Sequence, residues 1–260
     1  MGEDAFYLPL GNDVYRATEH TVGPWSPDSQ HMGPPSALLT RQLERTAAEP
    51  GSVLARMTVE ILGPVPVADL AMRSWVERPG RSVRLTAAEL SAAGRPVVRA
   101  WGWWLSSTDT TGVVGGLPES LPPLASGTPV PDRPVGWQGG YLDAMEWVSI
   151  RGTFGEDGPA TLWIRQRMST VDGEEPTGLQ RVMAVADSGN GASSQLDLRQ
   201  WLFINTELTV HLWRVPDGEW IGLDASSVIG PTGVGLATST LHDAHGPVGR
   251  GAQALLVRPR

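Results

Sequence analysis

The hydrophobic and polar positions of this 260-residue chain change period several times along its length, and the order of those changes repeats. Two strand-like pieces, residues 5–8 and 14–20, precede a stretch from 21 to 30 dense in Gly, Pro, Ser and Asp that reads as loop. Residues 36–48 then consist mainly of good helix formers. Leu39 and Leu43 lie one turn apart, Pro34 and Pro35 suit a first turn, and Pro50-Gly51 stops the helix. From Val53 to Leu105 the pattern becomes that of a meander, with runs at 55–62, 70–77, 83–92 and 96–105 separated by Pro64-Val65-Pro66, Pro79-Gly80 and Ala93-Gly94.

Residues 108–140, rich in Gly, Pro, Ser and Thr, read as a linker, after which the order restarts. Strands are expected at 141–154 and 160–168, a short helix at 177–186 and four strands between Trp201 and Val257. A single shift of 151 places Thr58-Val59 on Thr209-Val210, Pro96-Val97 on Pro247-Val248 and Arg99 on Arg250. Words this short match easily by chance, but a shared register and a shared element order strengthen each other. The pattern therefore predicts an α+β chain of two tandem units, each a central helix wrapped by an antiparallel sheet that must bury one face. The units span 1–107 and 141–260, joined by the linker 108–140.

Composition narrows the chemistry. With 40% apolar residues the chain can bury a sizeable core. Its net charge of −8 is spread along the length, which argues against nucleic acid and anionic membrane surfaces as partners. Every basic residue is Arg or His, and no cysteine occurs, so disulfides, thiolate metal sites and a Cys nucleophile are excluded. The acidic start Met1-Gly2-Glu3-Asp4 is unlike a signal peptide, and no apolar run is long enough for a membrane span; a soluble, cytoplasmic protein is expected. Glycine-rich pieces at 189–191 and 230–235 lack the setting of a phosphate loop, and no Gly-x-Ser-x-Gly elbow is present. His242 and His245 flank a predicted hairpin turn, which argues against a metal site, and no cofactor is expected.

Four segments resemble a known family: Pro24-Trp25-Ser26-Pro27 through Gln30-His31-Met32-Gly33-Pro34-Pro35-Ser36-Ala37, then Ala186-Asp187-Ser188-Gly189-Asn190, then Trp201-Leu202-Phe203-Ile204-Asn205-Thr206-Glu207, and last Gly251-Ala252-Gln253-Ala254. They are similar to TesB-like acyl-CoA thioesterases of the actinobacterial type. The resemblance implies a double hotdog fold and hydrolysis of an acyl thioester to free acid and CoA, without cofactor. It also implies a hydrolytic Asp, Thr and Gln, which fall on Asp187, Asn205 and Gln253. Asn205 departs from the expected Thr, and Thr206 is adjacent. Met32 stands where relatives often carry a second glycine.

In that reading Asp187 activates a water that Asn205 or Thr206 and Gln253 orient, while backbone N–H groups at the start of the first helix receive the thioester oxygen. Pro34 and Pro35 donate nothing, so the donors come from His31, Met32, Gly33 or Ser36. Read alone, Asp187 in its turn-like Asp-Ser-Gly-Asn-Gly context is the kind of Asp that more commonly serves as a helix-end or loop carboxylate. Shifting back by 151 puts Ser36, Leu54 and Gly102 where the second unit has Asp187, Asn205 and Gln253, so one polar constellation per chain is expected. The rival reading is a non-catalytic acyl-thioester binding or scaffold protein, kept open by Asn205. A hotdog hydratase is disfavoured by the missing Asp-to-His spacing. Of 11 Trp residues, Trp101 and Trp103 share a strand face, fitting core, an acyl pocket or a subunit interface, so homo-oligomers through the sheet or the Trp-rich surface are open.

Overall fold

The computed structural model describes residues 4–47, 49, 51–130 and 139–260. Strands β1 (Ala5–Gly11) and β2 (Val14–Ala17) form a hairpin, and the predicted strand beyond Ala17 gives way to a 3-10 turn at Glu19–Thr21. Helix α1 (Gly33–Ala47) starts three residues before Ser36, with Pro34 and Pro35 in its first turn, where their missing N–H groups cost no intrahelical bond. The meander follows as β3 (Ser52–Ile61), β4 (Asp69–Arg78), β5 (Val83–Ala92) and β6 (Arg95–Ser106).

The described part of the segment read as linker carries structure. It holds 3-10 turns at Thr111–Val113 and Leu124–Ser126 and strand β7 (Thr128–Pro129), and the Trp163 indole donates to the Pro122 carbonyl at 2.9 Å. Where a strand was expected from Tyr141, the chain first turns through α2 (Gly140–Ala144), and only then come β8 (Met145–Arg151), β9 (Ala160–Gln166) and β10 (Ser169–Val171). Burial of Tyr141, Leu142 and Ala144 decides this, because they fill space inside the sheet rather than alternating across it. Helix α3 (Gly178–Ala186) is capped by Thr177, whose hydroxyl accepts from the Gln180 N–H, and α4 (Gly189–Ala192) follows. The last strands are β11 (Trp201–Asn205), β12 (Glu207–Leu212), β13 (Trp220–Ile229), β14 (Val234–Asp243) and β15 (Gly246–Pro259). They number five because the first is interrupted at Thr206.

These strands make one sheet, in which β3 of the first half pairs antiparallel with β12 of the second. The halves also close through β1, which pairs in parallel with β10. The register of 151 holds across the sheet: Asp69, Val83 and Arg95 begin strands 151 residues before Trp220, Val234 and Gly246 begin theirs. An irregularity repeats with it, since the first ladder slips between Leu54 and Arg56, one shift away from the break at Thr206. The helices do not follow: 145 residues separate Gly33 and Gly178, which begin α1 and α3.

Inside the sheet α1 and α3 lie antiparallel. Gly33 sits so close to the Ala184 carbonyl that a Cβ would come within 2.4 Å of it, while at the other end Glu44 accepts from Thr177 and Gln180, each at 2.9 Å. Leu38, Leu39, Leu43, Val182 and Met183 are fully buried between the helices and the sheet, each contributing about 1.5–3 kcal/mol. The units are further tied where Arg41 of α1 donates to Tyr15 at 2.9 Å and pairs with Glu174 of the second half. This is a double hotdog. Among the described residues no helix is long and apolar enough to cross a membrane.

Candidate active site

Asp187 caps the C-terminal end of α3, whose apolar residues Leu179, Val182, Met183 and Ala186 bury the helix and carry the carboxylate inward to 4% exposure. Two amides from neighbouring strands meet its Oδ1: Asn205 Nδ2 donates at 2.8 Å and Gln253 Nε2 at 3.2 Å. Gln253, from the middle of β15, also donates to the Asp187 main-chain carbonyl at 3.1 Å, and its Oε1 accepts the Asn190 N–H at 3.1 Å. A buried amide with both ends engaged is satisfied and fixed. The approach requires Gly189, because a Cβ there would lie 2.9 Å from Gln253 Oε1.

The other carboxylate oxygen faces the first half. His31 Nδ1 lies 3.1 Å from Asp187 Oδ2 and 3.0 Å from the Gly33 nitrogen, which donates to it. Burial holds the imidazole pKa below its usual value, with the Asp187 charge opposing that shift. The ring stacks on Tyr141 at 3.8 Å between centroids and 8° between planes, and the Tyr141 hydroxyl donates to the Ala184 carbonyl at 2.8 Å and lies 2.9 Å from Ser188 Oγ. Burial pushes the Tyr141 phenol far up, so it stays protonated and keeps donating. His31, Ser188 and Asn190 line the polar side of a small cleft of about 20 Å³, the size of one water molecule, and Trp25, Leu142 and Phe154 line its apolar side.

Of the residues expected at the site, Asp187, Asn205, Gln253 and His31 converge. Thr206 does not: it occupies the bulge, is exposed, and sends its N–H and hydroxyl to the Ala254 carbonyl at 3.0 and 3.4 Å. At the start of α1 the donors sort themselves. The His31 N–H goes to the Thr21 carbonyl and the Ser36 N–H to the Met32 carbonyl, while the buried Ser36 hydroxyl has no hydrogen-bond partner among the described residues. The Gly33 N–H goes to His31 Nδ1, and neither Met32 nor Gly33 is among the residues that line the cleft. Tyr141, Ser188 and Asn190 were not assigned to the site from the sequence; Ser188 and Asn190 lie in the family-like segment around Asp187, whereas only the Gly139-Gly140 pair precedes Tyr141. His242 is buried and His245 exposed, so the pair does not converge on one point.

The first half shows what the same framework looks like without polar groups. At Gly102, the position equivalent to Gln253, a Cβ would meet Trp104 Nε1, Leu54 Cδ1 and Leu43 Cδ1 at 3.0, 3.2 and 3.3 Å. Leu54 corresponds to Asn205, as the strand register requires. The residue from α1 that completes this cluster is Leu43 rather than Ser36. The correspondence of Asp187 with Ser36 fails because the helices are offset differently from the strands.

A family profile described as acyl-CoA thioesterase C-terminal domain matches residues 118–257, and its N-terminal counterpart matches residues 21–105. The chain belongs to the TesB-like acyl-CoA thioesterase family. It is therefore a thioester hydrolase by family, of a fold shared by distant solved structures. These include the tesB protein of Mycobacterium avium subspecies paratuberculosis (TM-score 0.68, 16% identity, covering 97% of this chain and 96% of that one). A hot dog protein of unknown function from Alicyclobacillus acidocaldarius superposes with TM-score 0.74 at 15% identity over 98% and 97% of the two chains. The acyl-CoA thioesterase II TesB2 of Mycobacterium marinum superposes with TM-score 0.65 at 13% identity over 98% and 95%. No curated protein matches significantly.

Proposed function

We propose that this protein hydrolyses acyl-CoA thioesters by a water that Asp187 activates. The observation that carries the reading is the convergence of Asn205, Gln253 and His31 on one buried carboxylate beside a cleft. Because Oδ1 is occupied by the two amides, the water binds at Oδ2. Asn205 and Gln253 thus orient the base, and through it the water. As the water oxygen attacks the thioester carbon, Asp187 takes its proton; the tetrahedral oxyanion is held by main-chain N–H groups of Met32 and Gly33; collapse breaks the C–S bond, and the departing thiolate takes the proton from Asp187. One imidazole nitrogen cannot donate to Asp187 and accept from Gly33 at once. With Nδ1 protonated, His31 holds Oδ2 and releases the Gly33 N–H to the substrate.

A second reading, an acyl-thioester binding protein without turnover, rests on Asn205: its amide is spent on Asp187, leaving no hydroxyl at that position to hold water. Incubation with short-, medium- and long-chain and aromatic acyl-CoAs, following free thiol, separates the two. Thiol release that Asp187→Asn abolishes supports hydrolysis; no release above background from any of them, with acyl-CoA still bound, supports the binder.

A further inference from the structure

Three oxygens in a row run from the end of α3 to the wall of the cleft, and their hydrogens can point only one way. The Ala184 carbonyl lies 2.8 Å from the Tyr141 hydroxyl, which lies 2.9 Å from Ser188 Oγ, and Ser188 lines the cleft. The carbonyl can only accept. A helix continuing past Ala186 would give it the Ser188 N–H, but that N–H goes to the Val185 carbonyl at 2.9 Å. The Tyr141 phenol therefore fills the carbonyl with the single hydrogen a phenol has, and burial keeps that hydrogen in place. Only lone pairs remain on the phenol oxygen, so the Ser188 hydroxyl is the donor of the 2.9 Å bond. Its hydrogen is spent, and among the described residues nothing donates to Ser188 Oγ. Ser188, buried to 2% exposure, thus brings a hydrogen-bond acceptor to the cleft.

Size decides what that acceptor meets, because about 20 Å³ holds one water and no acyl group. Asn190, the other polar side chain of the second half on the wall, is already engaged. Its Nδ2 donates to the Phe203 carbonyl at 3.3 Å and its Oδ1 accepts the Gly191 N–H at 2.8 Å. We propose that Ser188 is a catalytic residue that accepts one hydrogen of the attacking water while Asp187, its neighbour in the chain, takes the other. Tyr141 is a positioning residue that acts through Ser188. The proposal rests on hydrolysis as the activity. With both hydrogens held, a lone pair of the water is turned away from the two acceptors and toward the thioester carbon. Donation to Tyr141 also makes Ser188 Oγ the stronger acceptor. No proton moves along the row: it passes from water to Asp187 and then to the departing thiolate, and Ser188 and Tyr141 stay neutral.

The scaffold fixes the phenol from the first half. The Tyr141 N–H donates to the Val22 carbonyl at 2.9 Å, and a side chain at Gly140 would strike that same carbonyl. The ring lies flat on His31, and a Cβ on Gly33 would come within 2.9 Å of its edge. Tyr141 is therefore held against the segment that carries His31 while its hydroxyl sets the direction of Ser188.

Free-thiol assays of the full chain test this. Ser188→Ala is expected to lower kcat about tenfold, the worth of one hydrogen bond to the attacking water, with KM near wild type. Tyr141→Phe keeps the ring and its stack on His31 but releases the Ser188 hydrogen into the cleft, and it lowers kcat by a similar factor. The double variant is expected to be no slower than Ser188→Ala, because Tyr141 acts only through Ser188. Damage to packing would instead raise KM and multiply in the double variant. A kcat within about twofold of wild type in Ser188→Ala, or losses that multiply, overturns the proposal. If circular dichroism shows Ser188→Ala unfolded, an unchanged kcat in Tyr141→Phe overturns it instead. Those results leave hydrolysis by Asp187 standing, whereas a wild-type chain that releases no thiol removes that reading and this one together.

Discussion

Thr58 and Thr209 face each other on neighbouring strands with their hydroxyls 3.2 Å apart, although 151 residues separate them in sequence. They mark the pseudo-two-fold centre of the sheet, where each half meets its own equivalent. Every polar group of the candidate site lies off that centre, so symmetry supplies two frameworks and the side chains equip only one.

Asp187→Asn keeps the size of the side chain and its place beside Asn205 and Gln253 but removes the base. We expect a folded protein with acyl-CoA affinity near wild type and kcat lower by about 10²–10⁴. Stopped assays of thiol release together with ligand titration check it; an unaltered kcat would remove Asp187 from the role of base.

The bulge makes Asn205 and Thr206 unequal. Thr206→Ala should leave kcat and stability near wild type, since its side chain is exposed. Asn205→Leu, which copies Leu54 of the first half, should lose most turnover because Asp187 Oδ1 loses its shortest bond. If the two substitutions have equal effects in the thiol assay, the assignment to Asn205 is wrong.

Gln253→Ala leaves the Asn190 N–H and the Asp187 carbonyl without their partner in a buried place. Urea unfolding should show a loss of about 1–3 kcal/mol per orphaned group, with a lower kcat at similar KM. In the apolar half, Leu43→Ala should cost about 2–5 kcal/mol by opening a cavity while kcat stays near wild type. That contrast separates the two frameworks.

His31 gives the protein a pH dependence of defined sign. Burial depresses its pKa in the folded state, so at pH below the ordinary value the unfolded chain binds a proton that the folded chain refuses. Stability is fully present above about pH 6.5 and falls as the pH drops toward the folded-state pKa. Burial acts in the same direction on His242. Melting temperatures measured from neutral pH downward should therefore decline less steeply in His31→Asn than in wild type; identical slopes would show that His31 is not held neutral.

The sheet was the legible part. Strand period, turn residues and the 151 register predicted the meanders of both halves, because alternation across a pleat is written directly into neighbouring residues. The residue types of the site were legible too, through the segments around His31, Asp187, Asn205 and Gln253. Tyr141 was not, since its neighbours read as strand until burial turned them into α2.

What the sequence by itself determined is the duplicated order of elements, the register of 151 that makes Thr58 the equivalent of Thr209, and the presence of one acid and two amides in the second half. Tertiary structure alone decided which side chains meet. The helices sit where they pack inside the closed sheet, and their offset of 145 rather than 151 takes Ser36 out of correspondence with Asp187. A slip in the hydrogen-bond ladder turns Thr206 outward and Asn205 inward. Both are consequences of fitting rigid elements together, and neither leaves a period in the chain to be read.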